Sequence, residues 1–343
     1  MKKTLSAFLL FAFTLIGMQT FAGTKPSYKI VNRIHLEGNG GWDYLQADEA
    51  SGLLYVSHGT IVQVVNMKTG KLIATIEDTR GVHGITIAAT LSKGYISCGK
   101  DSTVLVFDTK TFKPLSRIKV NGANPDAILF DPFSKKVFVF NGRTKNATII
   151  DAIWDKVVAD IALEGKPEFA ATDEKGKIYV NIEDKSTLCM INTSTLKVEQ
   201  CWPVAPTEEP SGLALDNVNH RLFSVGDKKM TILDGLSGKV VATIPIGMGV
   251  DGVSYDPSLK RIYSANGEGN ITIVQQDGAD SYKVLESFPT QKGARTITVD
   301  TKTHHIYLPV AEYDEEPDAP KGKGHSRPPV RSGSFVILDI APE

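Results

Sequence analysis

Seven copies of one short segment, spaced about 40 to 45 residues apart, constrain this chain more than any other feature of its sequence. Each copy carries a polar residue near its start and then a run of small and apolar residues, and six copies include a closing Asp. The copies are WDYLQAD (42–48), VHGITIAA (82–89), NPDAILFD (124–131), KPEFAATD (166–173), EPSGLALD (209–216), GVDGVSYD (249–256) and GARTITVD (293–300). This period is typical of a four-stranded propeller blade.

Each copy is followed by further strand-like runs, rich in Val, Ile, Thr and aromatic residues and separated by turn residues. No long stretch has helical periodicity, so the sequence predicts an all-β chain. The seventh copy lacks a fourth strand after SFVILDI (334–340), but SYKIVNRIHLE (27–37) precedes the first copy and can supply it. We therefore predict a seven-bladed β-propeller of four-stranded antiparallel blades. The N-terminal strand completes blade seven and closes the ring without a free edge.

The strand segments LYVSHG (54–59), KIYVNIED (177–184) and RIYSANGEG (261–269) resemble the YVTN-type repeats of the YncE-like propeller family. The resemblance covers essentially all of the chain after its first 22 residues. It implies an exported seven-bladed propeller. It does not imply one activity, because relatives of this architecture include lactone hydrolases, lyases and nucleic-acid binders, and fold alone does not decide function.

The repeat alignment predicts a ring of polar side chains at the mouth of the central channel. The first strand of each blade lines the channel, and the polar residue of each copy stands where that strand begins. The predicted ring consists of Asp43, His83, Asp126, Glu168, Ser211, Asp251 and Arg295. Because the residue type changes from blade to blade, we interpret the ring as a site whose members have separate roles.

The Asp at the opposite end of the same strand recurs almost without change between the copies. It occupies positions 48, 131, 173, 216, 256 and 300. Such uniformity indicates turn chemistry, in which a carboxylate accepts hydrogen bonds from nearby backbone N–H groups. We expect these residues to be structural.

The loops between the second and third strands open on the same face as the ring and add ligand-binding candidates. With Trp42 and Ser211, these candidates are His58, Asn141, Arg143, Glu183, Asn266 and Glu268. Asn141 and Asn266 each precede Gly, which is also a common turn dipeptide, and Trp42 also suits a position wedged between blades. The last such loop (312–333) is rich in Pro, Gly and charge, so we predict a long mobile segment over the mouth, either a lid or docking arm or a tolerated insertion.

Carboxylates beside His and Arg suggest two kinds of function. In the first, the mouth binds a small molecule or a periplasmic protein and catalyses no reaction, and its polar groups are hydrated or ion-paired. In the second, the protein is a lactonase-like hydrolase or a lyase. There Asp43, His83, Asp126, Glu168 and Asp251 supply acid–base groups or metal ligands, and Arg295 holds an anionic group. The oxygen-rich set suggests calcium or magnesium as a cofactor.

Composition narrows the class of partner. The chain has 38 Lys and Arg against 39 Asp and Glu, with no basic cluster, which argues against nucleic acid as a partner.

Residues 1–22 resemble a cleavable signal peptide, with Lys2 and Lys3 before an apolar core, and we expect a periplasmic or secreted protein. No later segment has the apolar length of a membrane span. We expect residues 23–343 to form one domain and the protein to be a monomer.

Three cysteines occur in the sequence. Cys189 and Cys201 flank a turn-like stretch between two β-rich runs, so in a hairpin they would lie nearly opposite each other. In an oxidising compartment this placement predicts a cross-strand disulfide, with two half-buried thiols as the alternative. Cys98 is then unpaired and fits a small buried position.

Overall fold

A computed structural model describes residues 28–314 and 329–343. The predicted signal peptide and most of the predicted 312–333 loop lie outside the described residues. Within them, 28 strands form seven four-stranded antiparallel sheets, with two short 3-10 helices at Ala89–Leu91 and Glu183–Lys185. The described part of the chain contains no helix with the length and apolar character to cross a membrane. The prediction of an all-β seven-bladed propeller is confirmed.

The first three blades follow one another along the chain, each built from four consecutive strands. Blade 1 contains β2 (Trp42–Asp48), β3 (Leu53–His58), β4 (Ile61–Asn66) and β5 (Leu72–Ile76). Blade 2 contains β6 (Val82–Ala88), β7 (Lys93–Cys98), β8 (Thr103–Asp108) and β9 (Pro114–Lys119). Blade 3 contains β10 (Pro125–Asp131), β11 (Lys136–Asn141), β12 (Asn146–Asp151) and β13 (Lys156–Ala162).

The next three blades repeat this order. Blade 4 contains β14 (Pro167–Thr172), β15 (Lys177–Ile182), β16 (Thr187–Asn192) and β17 (Lys197–Pro203). Blade 5 contains β18 (Leu213–Asp216), β19 (Arg221–Gly226), β20 (Lys229–Asp234) and β21 (Val240–Pro245). Blade 6 contains β22 (Val250–Asp256), β23 (Arg261–Asn266), β24 (Asn270–Gly278) and β25 (Ser281–Pro289).

Blade 7 joins the two ends of the chain. Its strands are β26 (Thr298–Asp300), β27 (His305–Val310), β28 (Val336–Pro342) and β1 (Tyr28–His35). Strand β1 pairs antiparallel with β28, from Tyr28 opposite Pro342 to His35 opposite Val336. The innermost strand of blade 7 also contacts those of blades 1 and 6, so the ring is closed. The predicted role of the N-terminal strand is confirmed.

The apolar core lies between neighbouring blades and not within any one of them. Between blades 1 and 2, for example, Tyr55, Val64, Ile96 and Phe107 are fully buried in one cluster. Burial of each such side chain stabilises the folded state by about 1.5–3 kcal/mol relative to leaving it exposed. The second and third strands are buried on both faces, whereas the outermost strands are largely exposed.

The recurrent Asp has the structural role that its uniformity predicts. Asp131 and Asp256 are fully buried, and Asp131 accepts a 2.9 Å hydrogen bond from the backbone N–H of Ser134. The same kind of bond to a backbone N–H within four residues is made by Asp48, Asp173, Asp216, Asp256 and Asp300. These six carboxylates hold the turn between the first and second strands of their blades.

Cys189 and Cys201 lie directly opposite each other on β16 and β17, and a disulfide joins them. Cys98 is a buried free thiol. This is the pairing that the spacing of the three cysteines predicts.

Candidate functional site

Irregular strand pairing positions the residues of the predicted ring. In blades 1 to 4 the register between the first and second strands breaks where the polar residue stands. The residues inside the breaks are Asp43–Tyr44, His83–Gly84, Asp126–Ala127 and Glu168–Phe169. Because such irregularities bend a strand and re-aim its side chains, each of these blades directs a polar group toward the mouth.

Two serines on the second strands fix these irregular segments. Ser57 Oγ accepts a 3.0 Å hydrogen bond from the backbone N–H of Asp43 and donates one of 2.8 Å to the carbonyl of Tyr44. Ser97 Oγ accepts a 2.8 Å bond from the N–H of Gly84 and donates one of 2.6 Å to the carbonyl of Asp126, in the next blade. Backbone groups that leave the sheet ladder are thus satisfied, and the inner strands of blades 2 and 3 are linked.

The channel mouth is a polar cavity of about 790 Å³. Its lining includes all six residues predicted to be catalytic, together with Trp42 and Glu183 from the predicted ligand-binding set. The six are Asp43, His83, Asp126, Glu168, Asp251 and Arg295. Lys100 and Lys166 also line the cavity, so it contains both positive and negative groups.

An aromatic pair lies across the channel on the inner side of this cavity. Tyr44 and Phe169 pack edge to face with ring centroids 4.3 Å apart. A second, smaller cavity of about 110 Å³ is lined by both rings and by residues further along the inner strands, such as Thr86 and Leu129. Tyr44 lines both cavities and Phe169 lines only the smaller one, so the contact between the two rings lies at the boundary between the mouth and the space further along the channel.

His83 stands between two carboxylates near the centre of the mouth. Its Nδ1 lies 2.6 Å from Asp43 Oδ2 and 3.6 Å from Asp126 Oδ1. Burial alone would lower the pKa of His83, but the hydrogen bond to Asp43 and the charges of Asp126, Asp43 and Glu168 raise it to about 9. At neutral pH the imidazole is therefore a cation that neutralises part of the acidic mouth.

Asp126 is the carboxylate whose environment is least favourable to charge. Burial, together with the charges of Asp43 and Asp251, raises its pKa to about 6, although the His83 cation acts in the opposite direction. Its Oδ1 is buried and has no hydrogen-bond partner among the described residues. Asp126 thus changes charge near neutral pH, which is what a general acid or base requires.

Arg295 ties blade 7 to blades 6 and 1. Its Nε donates a 2.8 Å hydrogen bond to Asp251 Oδ2, and one terminal nitrogen donates to the carbonyl of Trp42 at 3.3 Å. The same nitrogen lies 3.9 Å from Asp43 Oδ1. The guanidinium is therefore engaged in closing the ring, with Asp251 as its closest carboxylate.

Lys166 is one of the members of the site that sequence reasoning missed. Its Nζ forms ion pairs with Glu168, at 2.6 Å, and with Glu183. Burial would lower the pKa of Lys166, but hydrogen bonds to Glu168 and Glu183 raise it, so it remains a cation. The pKa of Glu168 is raised to about 8, by burial first and then by the charge of Asp126, against the opposing effect of Lys166.

The other predicted ligand-binding residues lie outside the cavity lining. His58, Asn141 and Asn266 are buried and hydrogen-bonded within their own blades, His58 to Gln63, Asn141 to Thr148 and Asn266 to Thr272. Each side chain thus bridges the second and third strands and cannot reach a ligand. Ser211 is also buried, with its hydroxyl 3.4 Å from the carbonyl of Val250.

Arg143 and Glu268 are exposed, and neither lines the cavity. Trp42 has a mixed position, because it lines the cavity while its indole packs against Tyr313 and Phe335 with centroids 5.9 and 5.7 Å away. Trp42 therefore also packs between blades, which is the alternative that the sequence left open for it. Tyr313 also pairs with Val330, which brings the two described ends of the 312–333 loop together beside the mouth.

Two signals in the repeats could have identified the missed residues. The position after each ring residue is small in five blades but aromatic in two, as Tyr44 and Phe169. Two aromatic rings at a position where the other blades have Gly, Ala or Thr indicate a filled channel. Lys166 precedes Glu168 by two residues, where the other copies have no cation.

Comparisons with known proteins support the fold and leave the function open. No protein-family model matches the chain, and no curated protein matches it. A chain from the crystal structure of the mitotic checkpoint complex is similar with a TM-score of 0.72 and 12% identity, over 88% of this chain and 95% of that chain. A chain of Kuenenia stuttgartiensis hydrazine synthase has a TM-score of 0.71 and 15% identity, over 80% and 94%. At these identities the likeness shows the propeller fold alone.

Proposed function

We propose that this protein binds a small polar molecule in the cavity at its channel mouth. The observation that carries this proposal is the convergence of charged side chains on one cavity, with the Tyr44–Phe169 contact across the channel on its inner side. A volume of about 790 Å³ lies within the range of sites for small molecules. A protein partner that inserts a side chain is the alternative occupant of the same pocket.

The charges of the pocket define the class of ligand. His83, Lys166 and Arg295 are cations, and each is already paired with at least one carboxylate of the mouth. A ligand must offer both donors and acceptors in order to replace or extend these pairs. Amino acids, hydroxy acids and sugars meet this requirement, whereas an apolar molecule would remove water from these charged groups without offering any hydrogen bond in return.

We also propose that the protein is exported and that it belongs to the YncE-like family. The signal-like segment 1–22, the disulfide between Cys189 and Cys201 and the YVTN-like repeats together support a periplasmic member of the YncE-like family. In that compartment the pocket would meet small metabolites and cell-wall components, and the disulfide would persist.

A ligand panel tests the proposal. Amino acids, hydroxy acids and sugars are screened by thermal shift against the wild type, and hits are measured by calorimetry. We expect a hit whose affinity falls at least tenfold in Lys166→Gln, a difference of about 1.4 kcal/mol, and stays unchanged in Arg143→Gln. Arg143 is the matched control because it is exposed and outside the cavity. A panel without hits, or hits that Lys166→Gln leaves intact, would contradict the proposal.

A second candidate function, hydrolysis of a lactone or ester, rests on the pairing of His83 with Asp126. At a pH above 6, Asp126 can take a proton from water, and the resulting hydroxide can attack the carbonyl carbon. The C–O bond of the ester then breaks, and the His83 cation can give its proton to the departing alkoxide. The 3.6 Å separation of the two groups places base and acid on one side of the pocket.

A hydrolysis panel with wild type, Asp126→Asn and His83→Gln tests this candidate. We expect a hydrolysis rate that rises near pH 6 and falls near pH 9. Asp126→Asn should remove the rise near pH 6, and His83→Gln should remove the fall near pH 9. Equal rates in all three proteins, or no turnover of any lactone or ester, would exclude it while leaving ligand binding intact.

A further inference from the structure

Three donor atoms from three consecutive blades converge at the mouth. One oxygen of Asp43, a ring nitrogen of His83 and one oxygen of Asp126 all lie within 4.8 Å of one another. Ligands bound about 2.1 Å from one ion must lie within about 4.2 Å of each other, so small side-chain movements suffice to bring all three onto one ion. The side chains are only 17%, 27% and 13% exposed, respectively.

A second observation points to a missing partner at the same place. Asp126 Oδ1 is buried and accepts no hydrogen bond from any described residue. Its distance of 3.6 Å to His83 Nδ1 is too long for a hydrogen bond. A buried carboxylate oxygen without a partner is costly, and buried charges are usually paired or coordinate a metal.

Nearby residues hold the three ligands in place. Ser57 and Ser97 bind the backbone on both sides of the irregular segments that carry Asp43, His83 and Asp126. A side chain at Gly99 would come within 2.8 Å of the imidazole Cδ2 and Nε2 atoms of His83, so the absence of a side chain there leaves room for the ring. Supporting contacts of this kind orient the ligands of a metal site.

We propose that Asp43, His83 and Asp126 bind a divalent transition-metal ion, with Zn²⁺ as the best fit. Three protein ligands of mixed nitrogen and oxygen type, with a fourth position open to a cavity, are typical of catalytic zinc sites. Calcium requires six to eight oxygen ligands. The sequence suggested calcium or magnesium because the mouth is rich in oxygen, but Glu168 and Asp251 are paired with Lys166 and Arg295, which leaves a set that includes an imidazole.

Metal binding is independent of any organic ligand, so it is tested with metal alone. Untagged full-length protein is stripped with a chelator and titrated calorimetrically with Zn²⁺, Mn²⁺, Ca²⁺ and Mg²⁺. We expect one Zn²⁺ per chain and affinities for Ca²⁺ and Mg²⁺ at least about 100-fold weaker. X-ray absorption of the zinc-loaded protein should show one imidazole nitrogen and light oxygen ligands.

The variants separate ligation from folding. Asp126→Asn and His83→Gln should each weaken Zn²⁺ binding at least about 100-fold, and Gly99→Ala, which displaces the imidazole without removing it, about tenfold or more. Glu268→Gln, an exposed carboxylate outside the cavity, is the control and should bind like wild type. Circular dichroism checks that each variant is folded, and the absorption spectrum of the wild type tests the ligands without any variant. Stoichiometric Zn²⁺ binding that survives both ligand substitutions, a preference for Ca²⁺, or no binding below about 10 µM would overturn the proposal.

Discussion

Tyr44 and Phe169 meet edge to face at 4.3 Å across the central channel, although they belong to blades 1 and 4. Neither residue is near the other in sequence, and the blades that carry them are separated by two others. Their contact spans the channel between the mouth cavity and the smaller cavity further along it. Tyr44 also lines the charged mouth, and burial, followed by the charges of Asp126, Asp43 and Glu168, raises the pKa of its hydroxyl, so it stays protonated.

A double-mutant cycle measures this contact. Because an edge-to-face pair contributes about 0.5–1.5 kcal/mol beyond the area that it buries, Tyr44→Ala and Phe169→Ala together should cost less than the sum of the single variants by that amount. Chemical denaturation of the four proteins gives the coupling energy. Strict additivity would mean that the two rings do not interact in solution.

The His83 cation should stabilise the fold in a pH-dependent manner. Its pKa rises from 6.5 to about 9 on folding, so the stabilisation is complete below pH 6.5 and is lost as the pH rises through 9. Relative to His83→Gln, the wild type should lose up to about 3 kcal/mol of unfolding free energy between pH 6 and pH 9.5. Denaturation curves across this window give the difference.

The ionisation of Glu168 should lower the stability of the fold over a lower pH range than the deprotonation of His83. Its pKa is raised from 4.5 to about 8, so the folded state holds the extra proton and stability falls as the pH rises from 4.5 through 8. Glu168→Gln removes the titration, and its unfolding free energy relative to wild type should improve by a few kcal/mol between pH 5 and pH 9. The measurement is denaturation at both pH values. A parallel response of the two proteins would show that Glu168 is ionised throughout.

Two aspartates on one strand should respond in opposite ways to the same substitution. Asp131→Asn weakens buried hydrogen bonds to Ser134 and Thr172 and should cost about 1–3 kcal/mol. Asp126→Asn neutralises a carboxylate whose raised pKa shows that its surroundings disfavour charge, so at pH 8 it should cost little or be stabilising. The measurement is the unfolding free energy of both variants at pH 8. A larger loss of stability in Asp126→Asn than in Asp131→Asn would contradict the structural role of Asp131 and the unfavourable environment of the Asp126 charge.

Thiol counting tests the cysteine assignment. The native protein should show no reactive thiol, because Cys98 is buried and the other two cysteines are bonded. Denaturation without reductant should expose one thiol, and denaturation with reductant three. Replacement of Cys189 and Cys201 by Ser should cost about 2–4 kcal/mol, as is usual for a disulfide. Three reactive thiols in the denatured, unreduced protein would contradict the bond.

The architecture could be predicted from the sequence because each blade is a local unit. The period of the copies, the closing Asp and the missing last strand are all visible along the chain, and adjacent strands pair with their sequence neighbours. The ring of Asp43, His83, Asp126, Glu168, Asp251 and Arg295 followed from the same alignment, since one position per blade must face the channel. The structural role of Asp131 followed from its repetition.

The sequence by itself therefore determined the number of blades, their closure and the identity of most groups at the mouth. Only the tertiary structure decided how those groups combine, because their contacts cross between blades that lie 40 or more residues apart. It set His83 between Asp43 and Asp126 of the two neighbouring blades and placed Arg295 against Asp251 of the blade before it. Within single blades, it also paired Lys166 with Glu168 and turned His58, Asn141 and Asn266 inward. Strand pairing is a property of near neighbours, whereas the charge and depth of a pocket depend on distances that no spacing along the chain contains.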